Sequence, residues 1–191
     1  QNPPPLVGQA ADAYLDALDQ NPNYKKAREA LPGVAKPAYE QQLKQAEDQE
    51  LARNYPGALN EYTALATLVD RLNRRGMVDF EVVDARAKAD EMREAAALDA
   101  WRDGMAAFVQ KDYATASERL MAAQKFIKNY KDTTFRLAEI HYGWAEAELS
   151  LAHYRTAAEH FTLSGDYQAE ALDQHLSTLA IPVPGLKVPS I

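Results

Sequence analysis

Ala100-Trp101-Arg102-Asp103-Gly104-Met105-Ala106-Ala107-Phe108-Val109-Gln110-Lys111-Asp112-Tyr113-Ala114-Thr115-Ala116-Ser117-Glu118-Arg119-Leu120-Met121-Ala122-Ala123 decides the fold. From Tyr113, the residues at offsets three, seven and ten are Ala116, Leu120 and Ala123, which share one face of a helix. The same spacing recurs at Tyr24, Ala27, Leu31 and Val34, at Tyr55, Ala58, Tyr62 and Leu65, and at Tyr154, Ala157, Phe161 and Ser164. The small residue in second place admits a neighbouring helix backbone, and the larger one fills the space beside it. Four copies of one helix-packing pattern predict a chain of helix pairs joined by tight turns. Repeats of this kind build extended surfaces that hold a partner.

The 191 residues are 47% hydrophobic and 26% charged, values of a folded chain with enough apolar content for a core. Ala, Leu, Glu, Gln, Lys and Arg dominate and favour helix. A formal net charge of −7 argues against nucleic acid, which requires clustered Lys and Arg. Lys25-Lys26 and Arg74-Arg75 are too short to reverse that. The absence of cysteine excludes disulfides, thiolate catalysis and Cys-based zinc sites. No run reaches the roughly 18–20 apolar residues of a membrane span.

Breakers and caps divide the chain into about eight to nine helices. The first runs from Gly8 to Leu18 and ends at Asn21-Pro22-Asn23. The second starts at Tyr24 and stops at Leu31-Pro32-Gly33, a strong terminator, and Pro37 opens a third that reaches Arg53. After Asn54-Tyr55-Pro56-Gly57, a fourth extends to Asn73. Asp79 caps one long helix to Val109, with a break near Ala95-Ala96-Ala97 as the alternative. Further helices cover 113–130, 133–151, 154–163 and 167–176. Residues 1–7, which include Gln1-Asn2-Pro3-Pro4-Pro5, read as a flexible tether, and 8–178 form the helical domain. Residues 179–191 form an extended tail, in which Pro182, Pro184, Gly185 and Pro189 stand among apolar residues.

These motifs resemble the tetratricopeptide repeat family. The best match is Ala100-Trp101 with Gly104, Lys111-Asp112-Tyr113, Ala116, Leu120 and Ala123, and next comes Trp144-Ala145 with His153-Tyr154, Ala157 and Phe161. Spacings of 31, 58 and 41 residues between successive turn tyrosines depart from the family's even 34. The resemblance implies an all-α, right-handed helix–turn–helix solenoid in which Gly104 and Ala116 lie where two helices touch. It also implies a groove lined by Leu43, Glu47 and Glu50, then Trp101, Arg102, Met105 and Phe108, then Glu139, Tyr142, Glu146 and Leu149. The alternative for Trp101 and Phe108 is the core. Only Arg102 fits the carboxylate clamp that some members use, and four glutamates favour neutral or basic peptide segments.

Signs of catalysis are weak. The four histidines, His141, His153, His160 and His175, form no His-Glu-x-x-His signature, and neither Gly-x-Ser-x-Gly nor a Gly-rich phosphate loop occurs. The expectation is a non-catalytic, cofactor-free and metal-free scaffold or adaptor that binds another protein or peptide. The proline-rich opening suggests an upstream signal or lipid anchor and a place at a bacterial cell envelope, with the cytoplasm as the alternative. Two other readings are a small-ligand or lipid cavity around Trp101, Met105 and Trp144, and self-binding or homo-oligomerisation through Ile181–Ile191.

Overall fold

The computed structural model describes residues 6–178. Within them are seven helices and no strand: α1 (Leu6–Gln20), α2 (Lys25–Leu51), α3 (Tyr55–Asn73), α4 (Ala85–Val109), α5 (Tyr113–Phe126), α6 (Thr133–Ser150) and α7 (Tyr154–Thr178). The all-α class stands. The expected count of eight to nine falls to seven, because two pairs of expected helices are each continuous. Of the expected tether, residues 1–5 lie outside the described residues, as does the whole tail 179–191.

The chain divides into two compact units, Gln1–Ala96 and Ala97–Ile191. In the first, Ala11, Leu15 and Leu18 of α1 pack with Ala27, Leu31, Ala35 and Ala38 of α2 and with Leu68 and Leu72 of α3. A second cluster joins Tyr39 and Ala46 to Ala58, Tyr62 and Leu65, and to Ala85, Ala89 and Met92 at the start of α4. In the second unit, Ala107 packs with Ala116, Leu120, Leu137 and Ile140. All four small residues of the repeated pattern (Ala27, Ala58, Ala116 and Ala157) are buried. A methyl added at Gly104 would lie 2.8 Å from Leu120 Cδ2 and 3.2 Å from the Ala116 carbonyl oxygen. Helix and helix touch at Gly104 and Ala116.

Three turns share one backbone plan. The N–H groups of Asn54, Asp112 and His153 reach back five residues to the carbonyls of Gln49, Ala107 and Glu148, at 3.0, 3.0 and 2.9 Å. The residue before each, Arg53, Lys111 or Ala152, is left-handed, with φ of 56°, 60° and 61°. This is a Schellman ending, which satisfies carbonyls that a helix end leaves open. Asn54 then accepts from the Gly57 N–H and Asp112 from the Thr115 N–H, capping α3 and α5.

The sequence misleads in three places. α2 runs through Pro32, Gly33 and Pro37 without ending. Each proline deprives the carbonyl four residues earlier, at Arg28 or Gly33, of its donor. Those residues and both prolines face solvent, where water can take the donor's place, while Leu31, Ala35, Ala38 and Tyr39 are buried on the other side. Packing outweighs the breakers. α7 likewise continues through Gly165, which meets nothing within 4 Å. Ser164, buried just before it, donates its hydroxyl to the Ala138 carbonyl of α6 at 2.9 Å, and Tyr167, just after it, packs on the core, so contacts on both sides of the glycine carry the helix through.

The long helix expected from Asp79 begins only at Ala85, and its expected alternative break near Ala95–Ala97 does not occur. Residues 77–84 form a non-helical strap instead. Phe80 packs on the Tyr39 ring at 5.2 Å, and the Val83 N–H donates to the Tyr39 hydroxyl at 2.9 Å. Asp84, not Asp79, caps α4 by accepting from the Ala87 N–H. Contacts to a residue some forty positions upstream override the local helical pattern.

Candidate functional site

Three of the expected groove residues belong to the first unit. Leu43 is half-buried and packs against the Tyr39–Tyr62 cluster. Glu50 accepts from the Tyr62 hydroxyl at 2.6 Å and pairs with Lys88 at 3.5 Å. Burial, then the Glu50 carboxylate, raise the Tyr62 phenol well above its ordinary value. Glu47 is exposed, and it lines an open depression with Glu50, Leu51, Arg53 and Tyr55. Glu50 is therefore committed to packing, and Glu47 is the member open to solvent.

The other eight lie in the second unit and divide the same way. Trp101 is half-buried, its indole N–H donates to Asp132 Oδ1 at 3.0 Å, and Lys131 Nζ stands 4.5 Å above its ring. Burial raises the Asp132 carboxyl, but hydrogen bonds from Arg136 and then Trp101 outweigh it and hold the group below its ordinary value. Phe108 packs on the core and tilts against Tyr113 at 6.3 Å. Both aromatics are partly buried and lie against the core of the second unit. Met105 is half-buried and Arg102 is exposed. Glu139 accepts from Arg136 at 2.7 Å.

Tyr142, Glu146 and Leu149 differ, for α6 turns all three outward. Tyr142 and Leu149 are 48% and 47% exposed, far more than a core aromatic or leucine. Phe135, seven residues before Tyr142, extends the same face at 49% exposed, and Phe161 of α7 meets Tyr142 edge-on at 5.6 Å. Sequence reasoning missed both phenylalanines here. The seven-residue step Phe135–Tyr142–Leu149 was a readable signal. Phe161 was not, because its repeat position is a buried one in the other copies. The result is an exposed apolar strip beside an exposed carboxylate.

A polar cluster lies under that strip. Ser117 Oγ of α5 and His141 Nε2 of α6 are 3.2 Å apart, and His141 Nδ1 is 3.1 Å from His160 Nδ1 of α7. The Trp144 and His160 rings stack at 3.9 Å, and the His141 and Tyr167 rings at 5.6 Å. Trp144 donates to Glu148, which also holds His153 at 2.7 Å. Hydroxyl, imidazole and second imidazole in a row have the order of a nucleophile, a base and its orienting group. Yet Ser117 and His141 are each only 5% exposed, so this row lies inside the helix packing. The row joins three helices. Spacing along the chain could not show it, because each member lies on a different helix.

Among the described residues, no helix is long and apolar enough to cross a membrane, and no group of three or more His, Asp or Glu is placed to hold a metal ion. No protein-family model, curated protein or solved structure matches the chain.

Proposed function

We propose that this chain is a non-catalytic scaffold of tetratricopeptide type, a right-handed helix–turn–helix solenoid, that binds a segment of another protein on the outer face of α6. The observation that carries this reading is the strip of Phe135, Tyr142 and Leu149, with Phe161 beside it. Exposed aromatics clustered on a rigid helix are the usual anchors of a protein interface. Glu146 on the same face favours a partner that is neutral or basic. The three turns of one backbone plan support the repeat character, since each starts its next helix with a tyrosine and a buried alanine.

The test compares the wild-type protein with a Tyr142→Ala/Leu149→Ala variant as baits for native extract, after circular dichroism shows equal helix content. A protein retained by the first and lost by the second supports the reading and identifies the partner. Equal retention by both baits removes the α6 face, and retention by neither removes the scaffold. Trp101→Ala is a poor probe, because it breaks the bond to Asp132 and disturbs packing as well.

A further inference from the structure

We propose that the His141–His160 pair is an acid-sensitive latch: it joins α6 to α7 while one proton occupies the gap between the two rings, and it parts when a second enters. A neutral imidazole has one donor and one acceptor nitrogen, whereas an imidazolium has two donors. Across 3.1 Å, one Nδ1 must donate and the other accept. Either tautomer of His141 satisfies this, because its Nε2 can accept from the Ser117 hydroxyl or donate to it at 3.2 Å.

A first added proton leaves the latch closed. It can reside on His160, where the Trp144 ring stacked at 3.9 Å and the nearby carboxylates of Glu148 and Glu159 favour the cation. Its Nδ1–H still donates to a neutral His141. The second proton has no such place. It must sit on His141, which is buried between Ser117 of α5 and Tyr167 of α7, and two N–H groups would then point at each other.

The charged and titratable groups facing the pair are few. α6 contributes Glu148, which is itself bonded to Trp144 and His153, and α7 contributes Glu159 and Tyr167. From α5 the partner is the Ser117 hydroxyl, which carries no charge. Burial, and for His141 the neighbouring His160, push both imidazoles below 6.5. The unfolded chain therefore binds more protons than the folded one as pH falls below that value. The latch contributes fully above about pH 6.5, and its contribution is lost on acidification. Tyr142 and Phe161 adjoin the two histidines in sequence, so opening the latch would also separate the two sides of the exposed strip. The latch itself does not depend on what binds there.

The experiment is amide hydrogen exchange of the whole chain at pH 7.5 and 5.0, corrected for intrinsic rates, on the wild type and on His160→Gln. At pH 5.0 the wild type should lose protection in α6 and α7 by about tenfold or more relative to α2 and α3. His160→Gln should lose much less, because the half-buried position then carries no second imidazole. If α6 and α7 keep step with α2 and α3 in the wild type, or if His160→Gln loses as much, the latch does not exist. Should the variant fold poorly, equal protection of all four helices in the wild type still overturns the latch.

Discussion

The two units are built with the same turns but fastened by different chemistry. In the first, Arg71 of α3 reaches Asp12, Asp16 and Asp19 of α1 at 3.6, 2.6 and 2.7 Å, and Arg75 also pairs with Asp19. In the second, α6 and α7 meet through stacked rings, and α4 meets α5 where Gly104 lies against Leu120. Charge pairs respond to salt and to strong acid. Rings and close backbone contacts do not respond to salt, and this set of rings includes histidines that respond to mild acid. The hydrogen bonds from Arg75 and then Arg71 hold the Asp19 carboxyl below its ordinary value. Its contribution is thus complete above the ordinary carboxylate range, and it fades only as pH falls through the lowered value. Between pH 8 and 5 the first unit should be indifferent while the second is not.

The strongest attack on this contrast is Gly104→Ala. The new methyl would meet a fully buried leucine and a backbone carbonyl that cannot move aside, at an expected cost of about 1–3 kcal/mol. Urea unfolding followed by hydrogen exchange should place the loss in α5 and α6. An equal loss of protection in α1 and α2 would show that the units are not separately fastened. A smaller effect should come from Arg71→Met, about 1 kcal/mol, because its aspartates are solvent-exposed. That difference should shrink in roughly 1 M salt, where screening is nearly complete. If it persists, packing and not charge joins α1 to α3.

The smallest effects test what the units have in common. Arg53→Gly and Ala152→Gly should each raise stability by about 0.5 kcal/mol, since glycine accepts a positive φ without strain but loses more freedom on folding. Thermal melting measures both. A gain in one unit and a loss in the other would mean that the turns are alike only in outline.

Local rules made much of this fold readable. Asn54-Tyr55 and Asp112-Tyr113 mark turns because a short polar side chain caps the next helix, and α3 runs from Tyr55 to Asn73 as its spacing predicts. The outward face of Tyr142, Glu146 and Leu149 was readable for the same reason, since one helix carries all three. Failures occur where distant residues decide. Pro32 and Pro37 remain inside α2 because the packing of α1 and α3 on its opposite face compensates for them. Residues 77–84 leave the helix because Tyr39 binds them. Trp101 remained ambiguous until Asp132, thirty-one positions away, proved to be its partner. The histidine row was beyond reach for the same reason.

The Tyr39–Val83 bond also bears on the order in which the chain can assemble. Most helix contacts here join neighbours in sequence, which close short loops and form early. The strap bond spans 44 residues and needs α2 and α3 to be in place before the loop it closes is worth its entropy. The first turn of α4 is thus expected to be among the last parts of the first unit to set. Its timing depends on a tyrosine hydroxyl far upstream, not on any residue within α4 itself.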